Sequence, residues 1–360
     1  MLSDYLSQVR GLDNSAMEAA RARVDSLVKP PGSLGKLEDI AIQLAGISGD
    51  MFYDAGKRCV VIMASDNGVV EEGVAAAPQS VTQMMAINFT KGITGVSALA
   101  KQFGADLRII DVGINADVTN SQIEHKKIRK STHNIAERAA MSRDEAIRAI
   151  LTGIEIAIQS AKNGYKLLGA GEMGIGNTTT SAAVLCALAG IAPEQAAGKG
   201  AGLSDDAYLR KIDVIRTALK VNRPEATDPI GVIEKVGGFD IAALAGLFIG
   251  GALSRIPVVI DGFISMVAAL VAIRICPMAR EFMIASHASF EQGYAHAARA
   301  VGIEPSLNLN MRLGEGSGCP IMFAVIDAAC AMMRDMATFE QAAIDGEYLE
   351  KVKGGDNFTV

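Results

Sequence analysis

The stretch YKLLGAGEMGIGNTTTSAAVLCALAG, residues 165–190, reads as a short buried strand, a glycine-rich polar turn and a helix. Residues 165–168 are the strand, and the turn begins at Gly169. Working outward, four more short and mostly apolar runs each stop at a polar turn: residues 59–64 before SDNG, 107–110 before DVG, 257–260 before DGF, and 281–285 before SHASFEQ. Apolar runs of this length, separated by helical patterns, are what a parallel sheet covered on both faces requires. The expected class is therefore α/β. Such sheets bind ligands beyond the carboxyl ends of their strands, which is where the polar turns fall.

The rest of the chain fits around that sheet. Residues 241–275 are apolar enough to mimic a membrane span, but Arg255, Pro257 and Asp261 interrupt them, so they read as two buried helices flanking a strand. Residues 13–27 and 36–48 read as amphipathic helices around KPPGSLG, and residues 321–345 as a Met- and Ala-rich helix followed by an acidic one. This suggests a small helical domain from residues 1–50 and 321–360, and a large α/β domain over residues 51–320. Residues 115–145, polar with several basic side chains, read as a surface excursion.

Composition narrows the function. The chain has 360 residues, half of them hydrophobic and 21% charged, which excludes disorder. Its 34 Lys and Arg against 40 Asp and Glu leave a net charge of -6, which argues against nucleic acid or an anionic membrane as partner. Five cysteines, widely separated and without a C-x-x-C pair, read as reduced thiols in a cytoplasmic protein. The polar N-terminus carries no export signal. The four histidines show no metal spacing, so no metal or other cofactor is expected, and only His287 stands at a strand end.

Three constellations carry candidate chemistry. In the first, residues 169–174 match G-x-G-x-x-G, with Glu194 about twenty residues on, the fingerprint of a dinucleotide site in a nicotinamide-dependent oxidoreductase. Against that reading, Glu172 places a carboxylate where pyrophosphate would lie. Gly174, Gly176, Asn177, Thr178 and Thr179 instead suit a monophosphate cradle at a helix start. In the second, Arg312-Leu313-Gly314-Glu315-Gly316-Ser317-Gly318 sets an exposed carboxylate between glycines, suited to a general base. The third, Asp66-Asn67-Gly68-Val69, follows the first strand.

Taken together these segments resemble one family along nearly the whole chain, the nicotinate-nucleotide:dimethylbenzimidazole phosphoribosyltransferases. The matching pieces, in order, are KPPGSLGKLE, ASDNGV, the run from Gly73 to Met84, GEMGIGNTT, GKGAGL with Lys211 downstream, GGFDIAALAG, VVIDGF and RLGEGSG. The resemblance implies a parallel Rossmann-like sheet with a small helical domain, usually as a dimer. It also implies transfer of the phosphoribosyl group of nicotinate mononucleotide to an aromatic base with inversion at C1, for cobamide synthesis. On it, Glu315 is the general base and Leu313 and Gly314 line the base pocket. Glu172 stands at the ribose, Gly176, Asn177, Thr178 and Thr179 hold the phosphate, and Lys211 supplies countercharge. Gln83 and Met84 form the base-side wall, with Asp66 nearby.

Three positions depart from the family's usual DHGV and GVSAYPQ: Asn67 for His, Ala75 for Ser and Ala77 for Tyr. The expected effect is a base wall less committed to dimethylbenzimidazole. One branch of the family attaches phenol or p-cresol through oxygen, using a heterodimer of related subunits, and a phenol leaves no second ring nitrogen unpaired. Both homodimer and heterodimer remain open on this reading. A non-catalytic partner subunit is the other alternative, and the retained Glu315, Glu172 and phosphate cradle argue against it.

Overall fold

The computed structural model describes residues 1–345. Six strands form one sheet: β1 (Arg58–Ser65), β2 (Ala105–Gly113), β3 (Ile123–His125), β4 (Leu167–Met173), β5 (Val258–Ile260) and β6 (Met283–Ala285). Their order is β3-β2-β1-β4-β5-β6, and every adjacent pair is parallel. The chain steps outward one way from β1 and the other way from β4. The crevice between them is therefore the place where such sheets bind ligands.

All five expected runs become strands, but β4 runs further than the sequence suggests. Gly169 to Met173 lie within it, in place of the expected turn, paired with β1 on one side and partly with β5 on the other. Gly171 shows why glycine suits a strand here: a Cβ on it would sit 2.6 Å from the carbonyl oxygen of Glu315, so only glycine lets that loop lie on the strand. The dinucleotide fingerprint thereby loses its turn, because its first two glycines are strand residues.

Residues 115–145 are only in part the expected surface excursion. They contain β3, and Ile135, Ala140 and Met141 are buried. Their polarity serves the backbone: Lys127 pairs with Asp111 and donates to the carbonyls of Ile114 and Ala116, and Ser131 N–H donates to Gly113 O. Polar side chains that tie irregular backbone to a sheet edge look, in sequence, like solvent-facing ones.

The apolar middle folds as expected into the helices Phe239–Ser254 and Phe263–Ile275 on either side of β5. No described helix is long and apolar enough to cross a membrane. Phe239–Ser254 packs tightly on the helix Arg143–Lys162, whose Ser142 forms a reciprocal capping box with Glu145. A Cβ on Gly153 would lie 1.8 Å from Ala243 O, and one on Gly246 1.9 Å from Ile150 O, so these glycines set how close the two backbones come.

The chain divides into two compact units. The larger holds Met1–Arg10 and Lys57–Met322; the smaller holds Gly11–Gly56 with the described residues from Phe323 onward. The first ten residues thus fall with the larger unit, where the sequence placed them with the smaller. In the smaller unit the helices Asn14–Ser26 and Lys36–Ser48 form as expected. The buried pair Lys29–Glu38, 2.8 Å apart, closes the KPPGSLG turn between them. The helix Gly318–Asp335 ends without the acidic helix expected next. Thr338 and Gln341 exchange two hydrogen bonds like a helix start, but Ala343 turns to φ 54° and the residues to 345 remain turns.

Candidate active site

Beyond the ends of β4 and β5 a cavity of about 310 Å³ opens. Glu172, Gly174, Asn177 and Thr178 form one side of it, and Asp261 to Ser265 a second. Arg312 to Glu315 form a third, and Ala77, Val81 and Met85 an apolar fourth. The β4 exit and the RLGEGSG loop, far apart in the sequence, thus meet at one place.

Glu172 is the next-to-last residue of β4 and is almost fully buried. Its Oε2 accepts from Asn177 Nδ2 at 2.5 Å, and its Oε1 accepts from the backbone N–H of Glu315 at 3.3 Å. Burial pushes its carboxyl up to about 7, against the lowering effect of those two donors. Asn177 Nδ2 also donates to Asp240 Oδ2 at 3.0 Å, so one amide joins two carboxyls.

Glu315 is buried, not exposed as its loop setting suggested. It holds φ 65° between Gly314 at 80° and Gly316 at 86°, three successive left-handed residues, which costs a non-glycine residue on the order of 1 kcal/mol. Asp261, following β5, holds that shape: its Oδ2 accepts from Gly316 N–H at 3.1 Å and its Oδ1 from Gly318 N–H at 2.6 Å. Glu315 Oε2 accepts from Val96 N–H at 3.2 Å. Burial raises the Glu315 carboxyl above its ordinary value and pushes Asp261 up to about 8.

At the opposite end, Lys211 is fully buried and donates to Thr178 Oγ1 at 2.9 Å and to Gly198 O at 3.0 Å. Burial pulls its ammonium down to about 8. Thr178, Gly200, Ala201 and Arg312 face the cavity there. The anticipated cradle is thinner than its sequence. Gly176 caps the helix Asn177–Ala189 with φ 92°, the N–H groups of Asn177 and Thr179 already close turns onto Gly174 and Gly176, and neither Gly176 nor Thr179 lines the cavity.

Other expected residues lie elsewhere. Gln83 and Met84 do not line the cavity: Gln83 donates to Asp117 O, and Met84 is half exposed. The helix Ser80–Thr90 presents Val81 and Met85 instead, four residues apart on one face. Asp66 is a buried anchor beside the cavity, accepting from Thr82 Oγ1 at 2.7 Å and from Asn115 N–H at 2.8 Å. Of the three departures, Ala77 lines the cavity, Ala75 does not, and Asn67 is buried, accepting from Thr180 Oγ1.

Sequence reasoning did not single out Asp261, Asp240 or Val81, and took Met85 only as core or pocket lining, which the cavity bears out. The signal for Asp261 was present, since VVIDGF sets an acid directly after a strand. Asp240 looked like an ordinary first-turn acid of an apolar helix.

With this geometry in place, comparison with known proteins is direct. A family model described as "Phosphoribosyltransferase" matches residues 9–344. A nicotinate-nucleotide–dimethylbenzimidazole phosphoribosyltransferase of Clostridium perfringens (strain ATCC 13124) is 54% identical over 360 residues, all of both chains. This chain belongs to that family. It is a phosphoribosyltransferase by descent, and the family relative from Acetivibrio thermocellus is 50% identical over 96% of this chain and 98% of its own. The crystal structure of CobT from Thermus thermophilus superposes with a TM-score of 0.88 at 36% identity, covering 92% of this chain and 99% of that one.

Proposed function

We propose that the chain transfers the phosphoribosyl group of nicotinate mononucleotide to a benzimidazole-type base, giving an α-riboside 5'-phosphate for the lower ligand of a cobamide. The observation that carries this reading is the meeting of Glu172 and Glu315 on one cavity that Thr178, backed by the buried Lys211, also lines. The names of the relatives supply the substrates.

The chemistry follows from that arrangement. Thr178, with Lys211 behind it, receives the 5'-phosphate, and Glu172 lies along the ribose. As the bond from C1 to the pyridinium nitrogen breaks, its electron pair leaves with nicotinate and positive charge develops at C1, which the Glu172 carboxylate stabilises. The base attacks C1 from the opposite face through its ring nitrogen, and Glu315 takes the proton from the other nitrogen. Because the pyridinium is already a good leaving group, the enzyme's main work is orientation and proton removal. Gly314 and Leu313 form the base pocket with the Ala77, Val81 and Met85 wall.

That wall favours a second reading, transfer to a phenol through oxygen. It adds no polar side chain beyond Glu315 to orient a benzimidazole, and Ala77 leaves room where the family usually has Tyr. The test is nicotinate release from nicotinate mononucleotide with dimethylbenzimidazole, adenine, phenol and p-cresol, by this chain alone and with a related subunit. Transfer to benzimidazoles by the chain alone is the expected result. Transfer to phenols only with the related subunit would establish the second reading, and no release with any base would refute both.

A further inference from the structure

A buried chain of polar groups runs away from the cavity behind Glu172, and phosphoribosyl transfer as described makes no use of its far end. Asn177 Nδ2 has two hydrogens, and both are committed, one to Glu172 Oε2 and one to Asp240 Oδ2. Asp240 is fully buried in the first turn of the helix Phe239–Ser254, and its other oxygen, Oδ1, has no partner among the described residues. The site a Cβ would occupy on Gly238 lies 2.4 Å from that oxygen and 2.7 Å from Asn67 Oδ1, so two acceptor oxygens converge on one small space. The Thr180 hydroxyl shares its one hydrogen between Asn177 O at 3.1 Å and Asn67 Oδ1 at 3.3 Å, and Asn67 Nδ2 lies 3.5 Å from the carbonyl of Ser65.

A buried carboxylate oxygen without a hydrogen-bond partner, bordering a second acceptor and sharing one amide with another carboxyl, is unfavourable unless it carries a proton. Asn67 Oδ1 is an amide oxygen and cannot; Asp240 Oδ1 can. We propose that Asp240 works as a neutral acid: its Oδ1 carries the proton toward Asn67, its Oδ2 anchors Asn177, and the single negative charge of the Glu172 and Asp240 pair rests on Glu172 at the cavity. Asp240 is then a positioning residue acting through Asn177, and its catalytic consequence rests on the role given above to Glu172.

The surrounding charges agree. The ionisable group facing Asp240 from β4 is Glu172, a like charge, which together with burial raises the Asp240 carboxyl to about 7. The segment after β1 and the helix Asn177–Ala189 contribute only neutral Asn67, Asn177 and Thr180. From the segment after β3, the Arg129 guanidinium lies over the Phe239 ring, 5.6 Å from its centroid, and is paired with Glu145. The backbone N–H groups of Asp240 and Ile241, at the start of its own helix, and the Asn177 amide favour an anion, but burial outweighs them.

The test uses the full chain with Asp240→Ala and Asp240→Asn. Asn reproduces every polar contact of a protonated Asp, a donor toward Asn67 and an acceptor for Asn177. Asp240→Ala should lower kcat about ten- to a hundredfold with KM for nicotinate mononucleotide changed less than threefold, and Asp240→Asn should restore most of that loss. An Asn variant as impaired as the Ala variant would show that position 240 must be charged and would overturn the proposal.

A second measurement needs no activity. A carboxyl that stays protonated in the fold but ionises in the unfolded chain gives stability that is full at low pH and is lost as pH rises toward its folded pKa. Tm of the parent should therefore fall between about pH 4 and pH 7, and Asp240→Asn should flatten that fall. The same slope in both proteins would overturn the proposal. A flattened slope with no transfer from nicotinate mononucleotide in the parent would instead refute the functional reading and leave the neutral Asp240 standing.

Discussion

The two carboxylates at the cavity are held by opposite means. Glu172 lies in β4, where backbone hydrogen bonds from β1 and β5 fix the strand, and the Asn177 amide and the Glu315 N–H fix the side chain. Glu315 lies on three left-handed residues that no regular element supports, and its place depends on two N–H groups caught by Asp261. The sheet thus supplies one acid directly and the other through a third acid at the end of β5. A strand fixes a side chain cheaply but only in its own direction, whereas a strained loop can aim one across a cavity if something else bears the strain.

The sharpest test of this division is Glu315→Gln. A group that accepts a proton as the new bond forms acts mainly in the transition state, so kcat should fall about 10²- to 10⁴-fold with little change in KM for the mononucleotide. Steady-state nicotinate release measures it, and turnover within threefold of the parent would remove Glu315 from that role.

Asp261→Asn comes next. An amide in place of the carboxylate turns one acceptor into a donor facing Gly316 or Gly318, leaving a buried N–H unpaired at a cost of about 1–3 kcal/mol. The loop should loosen, kcat should drop about ten- to a hundredfold, and Tm should fall with it. If Asp261→Asn left kcat and Tm where they were, the loop would be holding its own shape and the comparison between the two acids would fail.

The same contrast governs what the sequence could reveal. The strands were legible because a buried parallel strand must be almost wholly apolar, and Val60, Ile62 and Met63 of β1 are. Glu172, Asn177, Thr178, Glu315 and Lys211 were legible through motifs, and the fold brings them together. Which residues faced the cavity was less legible. Gln83 and Met84 lie on the right helix but one face away from Val81 and Met85, a distinction set by helix rotation. Burial of Glu315 was hidden as well, since its cover comes from Gly95 and Val96, more than two hundred residues earlier. Residues 115–145 misled for a related reason, because their polar side chains serve buried backbone.

The pH dependence of turnover separates the two acids less drastically. Burial raises both, Glu172 to about 7 and Glu315 in the same direction, and both are needed ionised. Activity should fall as pH drops through these values, an acid limb well above the ordinary glutamate value of about 4.3. A pH profile of kcat flat down to pH 5 would mean that burial does not control either group.

The smallest effect is expected at the rim. Leu313 precedes the left-handed run, is 57% exposed, and reaches over Gly95, where a Cβ would lie 2.5 Å from its Cδ2. Being largely solvated, it has only part of a leucine's burial energy to give, roughly 1 kcal/mol or less. Leu313→Ala should therefore raise KM for the aromatic base a fewfold while kcat and KM for the mononucleotide stay within twofold. A large loss of kcat would show that the side chain braces the loop and thereby Glu315, moving Leu313 from the pocket's edge into the support that Asp261 provides.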